Sequence, residues 1–147
     1  MKFLVIIYND PAMLDAMPQQ EFDKTMRGCI EHADDLKTKG NLIESQQLES
    51  PKTAKTLRRR NNRLTITDGP FAETKEILAG FNLIEAEDMD EAVRIASEFP
   101  WTETGSIEVR PIRDFEAVRS RVGALREAGG GKREAEKTRS APREALK

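Results

Sequence analysis

The first eight residues constrain the fold most, because they form an apolar run that cannot be left in water. Lys2–Tyr8 is rich in β-branched and aromatic residues and is apolar on both faces. That pattern is typical of a central strand that is covered on both sides. The run ends at Asn9-Asp10-Pro11, too early for a secretory signal or for the roughly 20 apolar residues of a membrane span. The sequence therefore predicts a covered sheet in a soluble, cytoplasmic protein with no membrane partner.

The length and composition of the chain fit one such domain. The chain has 147 residues, a formal net charge of −2 and a single cysteine, Cys29. A domain of this size buries a core without disulfides or a structural metal. The near-neutral net charge gives no case for nucleic-acid or membrane binding. One cysteine cannot form an intramolecular disulfide, which fits a reducing compartment.

The periodicity of the apolar residues predicts the order β-α-β, a hairpin, and β-α-β. The first helix, Gln19–Lys39, has apolar residues at helical spacing and ends at Gly40, a good C-cap, after a loop that runs to Pro18. The other predicted elements are strands at 2–8, 41–48, 54–59, 63–67, 77–86 and 106–112, and a helix at 88–99. Two such halves predict an α+β fold, a ferredoxin-like sandwich with an antiparallel sheet and two helices on one face. The other face needs a cover, and we expect a homodimer packed sheet to sheet.

The inserted hairpin carries the most concentrated positive charge in the domain. Asn61-Asn62 tolerates the positive φ that a tight hairpin turn requires. Its tip carries a cluster of four arginines: Arg58, Arg59, Arg60 and Arg63. The cluster is interpreted as a solvated tip, with attraction of an anionic ligand as the alternative.

The composition changes after Phe115, which predicts a domain at 1–115 and a separate tail at 116–147. The tail contains nine Lys or Arg and five Glu, a net charge of +4 that leaves −6 for the rest of the chain. It contains Gly129-Gly130-Gly131 and no aromatic residue, so it cannot bury enough surface to offset its ordering entropy. We expect a short helix at its start and disorder beyond Ala128. The interspersed glutamates make it a poor phosphate binder, so no nucleic-acid partner is expected.

The turn Asp68-Gly69-Pro70-Phe71 is the best local candidate for a site. Gly-Pro after a strand is strong turn punctuation, and the Asp before it can bond the backbone two residues on. In one interpretation Asp68 only shapes the turn while Phe71 fills the core. In the other, Asp68 is a functional carboxylate at a strand end, where loops commonly build sites.

This turn and the five residues after it, Ala72-Glu73-Thr74-Lys75-Glu76, closely resemble the signature of the DGPF branch of the YCII-related family. Supporting matches lie at 1–8, 80–86, 88–92 and 105–111, so the resemblance covers the chain from Met1 to about Phe115. It implies a ferredoxin-like fold that assembles as a dimeric α/β barrel. It also implies a biochemical function that is mostly unassigned across the family.

In the wider family a His–Asp pair is proposed as an acid/base site, and some relatives handle small hydroxylated or aromatic compounds. His32 is the only histidine here, so such a pair must join it to Asp68. Helical geometry puts His32 on the margin of the apolar stripe, near Cys29 and Leu36. An imidazole oriented there by Asp68 could shuttle protons near neutral pH. The alternative is a partly buried histidine that bonds the backbone or faces solvent.

Three further residues, Tyr8, Phe71 and Glu73, are the candidate ligand-binding positions. Cys29 lies on the apolar face of its helix, so we interpret it as a small core residue rather than a nucleophile. A metal site would need His32 with nearby carboxylates, and one histidine without paired cysteines makes zinc unattractive. We therefore expect neither a metal nor a cofactor.

Two functional hypotheses follow. The first is a small cofactor-independent enzyme, with a pocket between sheet and first helix, in which His32 and Asp68 act on a small polar or hydroxylated compound. The second is a non-catalytic ligand-binding or regulatory dimer. The family resemblance supports the second because DGPF-type genes often neighbour extracytoplasmic-function sigma factors. A purely structural dimer is a third possibility, and the sequence does not separate the first two.

Overall fold

A computed structural model describes residues 1–124 of the chain. In chain order its elements are β1 (Lys2–Asn9), α1 (Pro11–Asp15), α2 (Gln19–Thr38), β2 (Leu42–Gln47), β3 (Lys55–Arg60), β4 (Arg63–Asp68), β5 (Ile77–Glu85), α3 (Met89–Ser97), β6 (Gly105–Pro111) and α4 (Phe115–Arg121). None of the helices within these residues is both long and apolar enough to span a lipid bilayer. The disorder predicted beyond Ala128 lies outside the described residues.

The main sheet has four strands in the order β2-β5-β1-β6, and every neighbouring pair is antiparallel. Its two central strands, β1 and β5, are the first strands of the two predicted halves. With the β3–β4 hairpin set aside, the chain runs βαββαβ and its sheet order is second, third, first, fourth. This is the arrangement of a ferredoxin-like sandwich. The predicted fold is confirmed.

The two faces of this sheet differ in burial. Along β1, Phe3, Val5 and Ile7 are buried, whereas the alternate residues Leu4, Ile6 and Tyr8 are half-buried. The first set packs against α2 and α3 in the main core, and we call its side of the sheet the helix face. The core also contains Cys29, Leu36, Ile84, Ala92, Ile95 and Ala96. Both long helices therefore cover one face, and the side of Leu4, Ile6 and Tyr8 is the open face.

A short helix replaces the loop that was expected between Pro11 and Pro18. The Asp10 side chain accepts a hydrogen bond from the Ala12 backbone N at 3.0 Å, and Pro11 occupies the first helical position. An acceptor at the N-cap followed by proline is a helix-start signal. The expectation of a loop was wrong because Asn9-Asp10-Pro11 both ends β1 and begins α1.

The second long helix, predicted at 88–99, begins with a reciprocal capping arrangement. The Asp88 side chain accepts from the backbone N of Glu91 at 2.9 Å. In return, Glu91 Oε2 accepts from the backbone N of Glu87 at 2.6 Å. These two bonds satisfy donors that the first turn of a helix otherwise leaves unpaired.

The chain divides into two compact units, the first formed by Met1–Ala54 and Asp68–Ile112. Among the described residues, the second contains the hairpin Lys55–Thr67 and residues 113–124. Within the hairpin, β3 and β4 join at Asn61 and Asn62, whose φ angles are 50° and 61°, as the sequence predicts. The short helix expected after the last strand is α4, capped by Asp114. The domain boundary near Phe115 stays a prediction.

Candidate functional site

A cavity of the first unit lies between the helix face of the sheet and helices α1 and α2. Its volume is about 280 Å³, close to the lower limit of small-molecule pockets, roughly 300 Å³. Apolar side chains form most of its wall: Ile7, Leu14, Phe22, Met26, Ile77 and Trp101. Such a wall can hold a small ring or a short branched chain.

The polar part of the wall lies where β2 pairs with β5. Ser45 and Asn82 are cross-strand partners, and Ser45 Oγ donates a hydrogen bond to Asn82 Oδ1 at 2.6 Å. Asn82 is only 3% exposed. Two residues along β2, Gln47 Nε2 donates to the Met26 sulfur at 3.3 Å. The apolar wall therefore faces a small group of amide and hydroxyl side chains.

A second buried asparagine lies at the end of β1, where it also lines the cavity. Thr104 Oγ1 donates to Asn9 Oδ1 at 2.9 Å, and both residues are buried. The backbone N of Asp10 donates to the Thr104 carbonyl at 2.9 Å. These two bonds hold the junction between β1 and α1, so the α1 part of the cavity wall has a fixed position.

Cys29 and Trp101 meet at the α2 side of the cavity. The Trp101 indole N–H donates to Cys29 Sγ at 3.2 Å. Burial raises the pKa of the Cys29 thiol, and the hydrogen bond from Trp101 partly lowers that pKa again. The thiol is therefore neutral at physiological pH, and it lies in the main core as the helical spacing predicts.

Gly80 allows the close strand approach that shapes the polar wall. A Cβ atom built on Gly80 would lie 2.6 Å from the backbone oxygen of Gln46, closer than two such atoms can approach. Gly80 also stands beside a register shift between β1 and β5. A glycine inside a strand is typical of such a bulge or close approach.

His32, the candidate acid/base residue, contacts α3. Its Nε2 lies 3.1 Å from the Ile95 carbonyl oxygen. Because a carbonyl oxygen can only accept a hydrogen bond, Nε2 is the ring nitrogen that carries the proton. Its Nδ1 lies 3.5 Å from Glu98 Oε2. The ring also packs edge-on against Phe99, with 4.5 Å between centroids. The carboxylate beside His32 in these contacts is that of Glu98.

The turn that follows β4 is exposed. Gly69 has a φ of +95°, a conformation that favours glycine, and its backbone N donates to the Ala54 carbonyl at 2.7 Å. Phe71 is 75% exposed, so the interpretation in which it fills the core is wrong. Glu73 is also exposed, and Tyr8 lies on the open face of the sheet.

The cavity lining includes none of the five residues singled out from the sequence, namely Tyr8, His32, Asp68, Phe71 and Glu73. The roles given to all five, including the pairing of His32 with Asp68, stay predictions. The residues that sequence reasoning missed are Ser45, Gln47 and Asn82. A polar residue on the inward face of a strand is the signal that could have identified Asn82, but the strand register was needed to read it.

Metal ligation has no support in the described part of the chain. No group of three or more His, Cys, Asp or Glu side chains within residues 1–124 is arranged to hold a metal ion.

Comparisons with known proteins identify relatives for most of the chain. The family model for the YCII-related domain matches residues 1–116 of the sequence. An uncharacterised protein of Rhizobium meliloti (strain 1021) is 36% identical over 114 residues, which cover 76% of this chain and 92% of the relative. Among solved structures, 5-chloro-2-hydroxyhydroquinone dehydrochlorinase of Burkholderia phenoliruptrix AC1100, in complex with 2,5-dihydroxybenzoquinone, is similar with a TM-score of 0.46 and 18% identity. That likeness covers 77% of this chain and 94% of the other.

Proposed function

This chain belongs to the YCII-related family, and we propose that it binds a small compound with apolar and polar parts in the cavity between α2 and the sheet. The observation that carries the proposal is the contrast between the two walls. Phe22 and Trp101 belong to an apolar wall, whereas Ser45 and Asn82 present polar groups. An apolar pocket with a few polar groups that fix orientation is the usual form of a small-molecule site.

The single tryptophan provides a direct test, because Trp101 lines the cavity and gives one indole N–H signal in a ¹H–¹⁵N NMR spectrum. We expect phenol, catechol or cyclohexanol to shift this signal in a saturable manner. A compound that binds there alters the environment of the indole and its bond to Cys29. The absence of any saturable shift across these compounds would contradict the proposal.

Catalysis by His32 and Asp68 on a small hydroxylated compound, without a cofactor, is the enzymatic form of this function. The observation that favours it is an imidazole that is 11% exposed and lies 3.5 Å from a carboxylate oxygen of Glu98. In this form the His32 ring must leave the Ile95 carbonyl to reach a substrate, and Asp68 then orients it.

The matching experiment compares His32→Gln and Asp68→Asn with the unmodified protein in a turnover assay on any compound found to bind. The enzymatic form predicts that both substitutions abolish turnover and leave the Trp101 titration unchanged. Full turnover in both variants would remove His32 and Asp68 from the mechanism. Glu98→Gln is the third variant, because Glu98 is the carboxylate that His32 contacts.

Non-catalytic ligand binding is the alternative, and the contacts of His32 favour it. One ring nitrogen contacts Ile95 of α3 and the other lies near Glu98, the C-cap residue of α3, so the imidazole links α2 to the end of α3. In this form, His32→Gln weakens helix packing, and no compound that binds in the cavity is converted. A product detected by mass spectrometry after incubation with a bound compound would contradict it.

Assembly into a homodimer belongs to both forms of the proposal. The apolar residues Leu4, Ile6, Phe81 and Leu83 on the open face support it, because half-buried apolar strands need a cover. Sedimentation at micromolar concentrations tests the dimer. A monomer that retains cavity binding would separate binding from assembly.

In the regulatory form of the proposal, the protein associates with an extracytoplasmic-function sigma factor, and co-purification with such a factor tests this association.

A further inference from the structure

The amide group of Asn82 has donors that the protein does not use. Its carbonyl oxygen accepts the hydrogen bond from Ser45 Oγ at 2.6 Å, which leaves the two N–H bonds of Nδ2. Within residues 1–124 no protein acceptor is found for them, although Asn82 is only 3% exposed and lines the cavity. These N–H bonds can therefore donate to an acceptor atom on a compound that enters the cavity.

Gln47 adds a second donor close to the first. Within the described residues its Nε2 bonds the thioether sulfur of Met26 alone, and that sulfur is a weak acceptor. Gln47 and Asn82 belong to paired strands, and Gln47 lies two residues beyond Ser45, the cross-strand partner of Asn82. Both side chains belong to the cavity lining, and an oxygen atom in the cavity would be a stronger acceptor for Gln47 than the Met26 sulfur.

The charges around the cavity decide which kind of oxygen fits. Asp15 and Glu49 belong to the lining, and no Lys, Arg or His of the described residues does. A carboxylate or phosphate ligand would meet these two negative charges without a cation to balance them. A neutral carbonyl oxygen accepts two hydrogen bonds and carries no charge.

We propose that this cavity selects neutral carbonyl compounds, with the carbonyl oxygen bonded by Asn82 Nδ2 and Gln47 Nε2 and the carbon skeleton against Phe22 and Trp101. The proposal rests on the cavity being a binding site and adds the class of ligand. It assigns Asn82 and Gln47 to specificity, a role that the acid/base hypothesis does not give them.

The test compares acetophenone with α-methylstyrene, which has the same shape but a CH₂ group in place of the carbonyl oxygen. Both are titrated into the full chain while the Trp101 indole signal is followed by NMR. We expect acetophenone to bind about tenfold more tightly, because one or two net hydrogen bonds contribute about 1–2 kcal/mol. Benzoate is the third probe, and we expect it to bind more weakly than acetophenone because of Asp15 and Glu49.

Two substitutions replace the donors by acceptors. Asn82→Asp turns the buried amide into a carboxylate, and we expect the affinity for acetophenone to fall to that for α-methylstyrene. Because Asn82 is buried, Gln47→Glu is the second variant, at an exposed position on an edge strand where the fold tolerates the change. Gln46→Glu is its matched control. It adds the same charge to the same strand. Gln46 borders the cavity, but its side chain bonds Glu44 on the other face of β2.

The outcomes distinguish failure of the carbonyl specificity from failure of the proposed binding function. Equal affinities for acetophenone and α-methylstyrene would overturn the carbonyl specificity and leave the cavity as a binding site. Gln47→Glu and Gln46→Glu with the same effect would also overturn it, because charge alone would then explain the change. If no probe shifts the Trp101 signal, the proposed binding function fails and the inference fails with it.

Discussion

The two faces of the main sheet put similar strands to different uses. On the helix face, Val5 and Ile84 are buried in the core. The amide of Asn82, on the same face, lines the cavity. On the open face, Leu4 and Ile6 lie opposite Leu83 and Phe81. Charged residues border this apolar stripe on the outer strand, where Glu108 and Arg110 form an ion pair.

This difference teaches that polarity, together with burial, distinguishes a binding face from an assembly face. A hydrogen-bond acceptor stabilises an amide N–H group that faces an apolar cavity. An apolar stripe with a charged border has the composition of a protein interface. We therefore propose the helix face for the ligand site and the open face for contact with a second copy.

The sharpest test of the comparison is a pair of alanine substitutions at adjacent residues of β5. Ile84 is fully buried and Leu83 half-buried. We expect Ile84→Ala to lower the free energy of unfolding by about 2–5 kcal/mol and Leu83→Ala by about 1 kcal/mol, measured by urea denaturation at low protein concentration. Equal losses would show that the two faces are equally buried in the monomer and would remove the distinction.

Assembly through the open face predicts the next largest effect. Ile6→Lys places a charge in the centre of the apolar stripe, so we expect self-association to weaken by at least about a hundredfold, since an unpaired buried charge costs several kcal/mol. Analytical ultracentrifugation measures the change. Thr38→Lys, which adds the same charge at an exposed position of α2, is the control. Association that survives Ile6→Lys would exclude the open face as the interface.

A methyl group at Gly80 tests the polar wall. Its Cβ would collide with the Gln46 carbonyl, so we expect Gly80→Ala to cost about 1–3 kcal/mol of stability and to displace Ser45 from Asn82. Thermal unfolding and the Trp101 titration follow the two effects. A Cβ on Gly28 meets nothing within 4 Å, and Gly28→Ala in α2 should stabilise the protein by up to about 1 kcal/mol. A Gly80→Ala variant with unchanged stability would contradict the close approach of the two strands.

The smallest predicted effect concerns the Cys29 thiol. Because burial raises its pKa, the folded protein disfavours the thiolate, and we expect alkylation by iodoacetamide at pH 7 to be slower than in urea. Below the ordinary cysteine pKa this group leaves the stability unchanged, and the stability falls as the pH rises through the raised pKa of the folded state. Cys29→Ala should remove that fall. Rapid alkylation of the folded protein at pH 7 would contradict the burial.

Most of the fold was predictable because its signals are local. The helical spacing of α2, the capping residues of α3 and the paired asparagines of the hairpin each lie within a few residues of one another. The missed helix α1 had a local signal too, but Asp10-Pro11 was interpreted as the end of a strand only.

The cavity was less predictable because its polar wall depends on strand register. β2 pairs Leu42 with Ile84 and then Glu44 with Leu83, so one extra residue, Ile43, interrupts the alternation. This irregularity turns Ser45 to the helix face, opposite Asn82, and the sequence does not reveal it. His32 was correctly placed at the edge of the apolar stripe, but its partners Ile95 and Glu98 come from a helix that is distant in sequence.

The central claim, that the helix-face cavity is the binding site, is tested most directly by filling the cavity. Ala79 lines it, whereas the adjacent Leu78 does not. In acetophenone titrations followed at the Trp101 indole, Ala79→Phe should abolish the saturable shift and Leu78→Phe should leave it unchanged, with both variants folded by circular dichroism. Unchanged binding in folded Ala79→Phe would contradict the account, because the compound would then bind elsewhere.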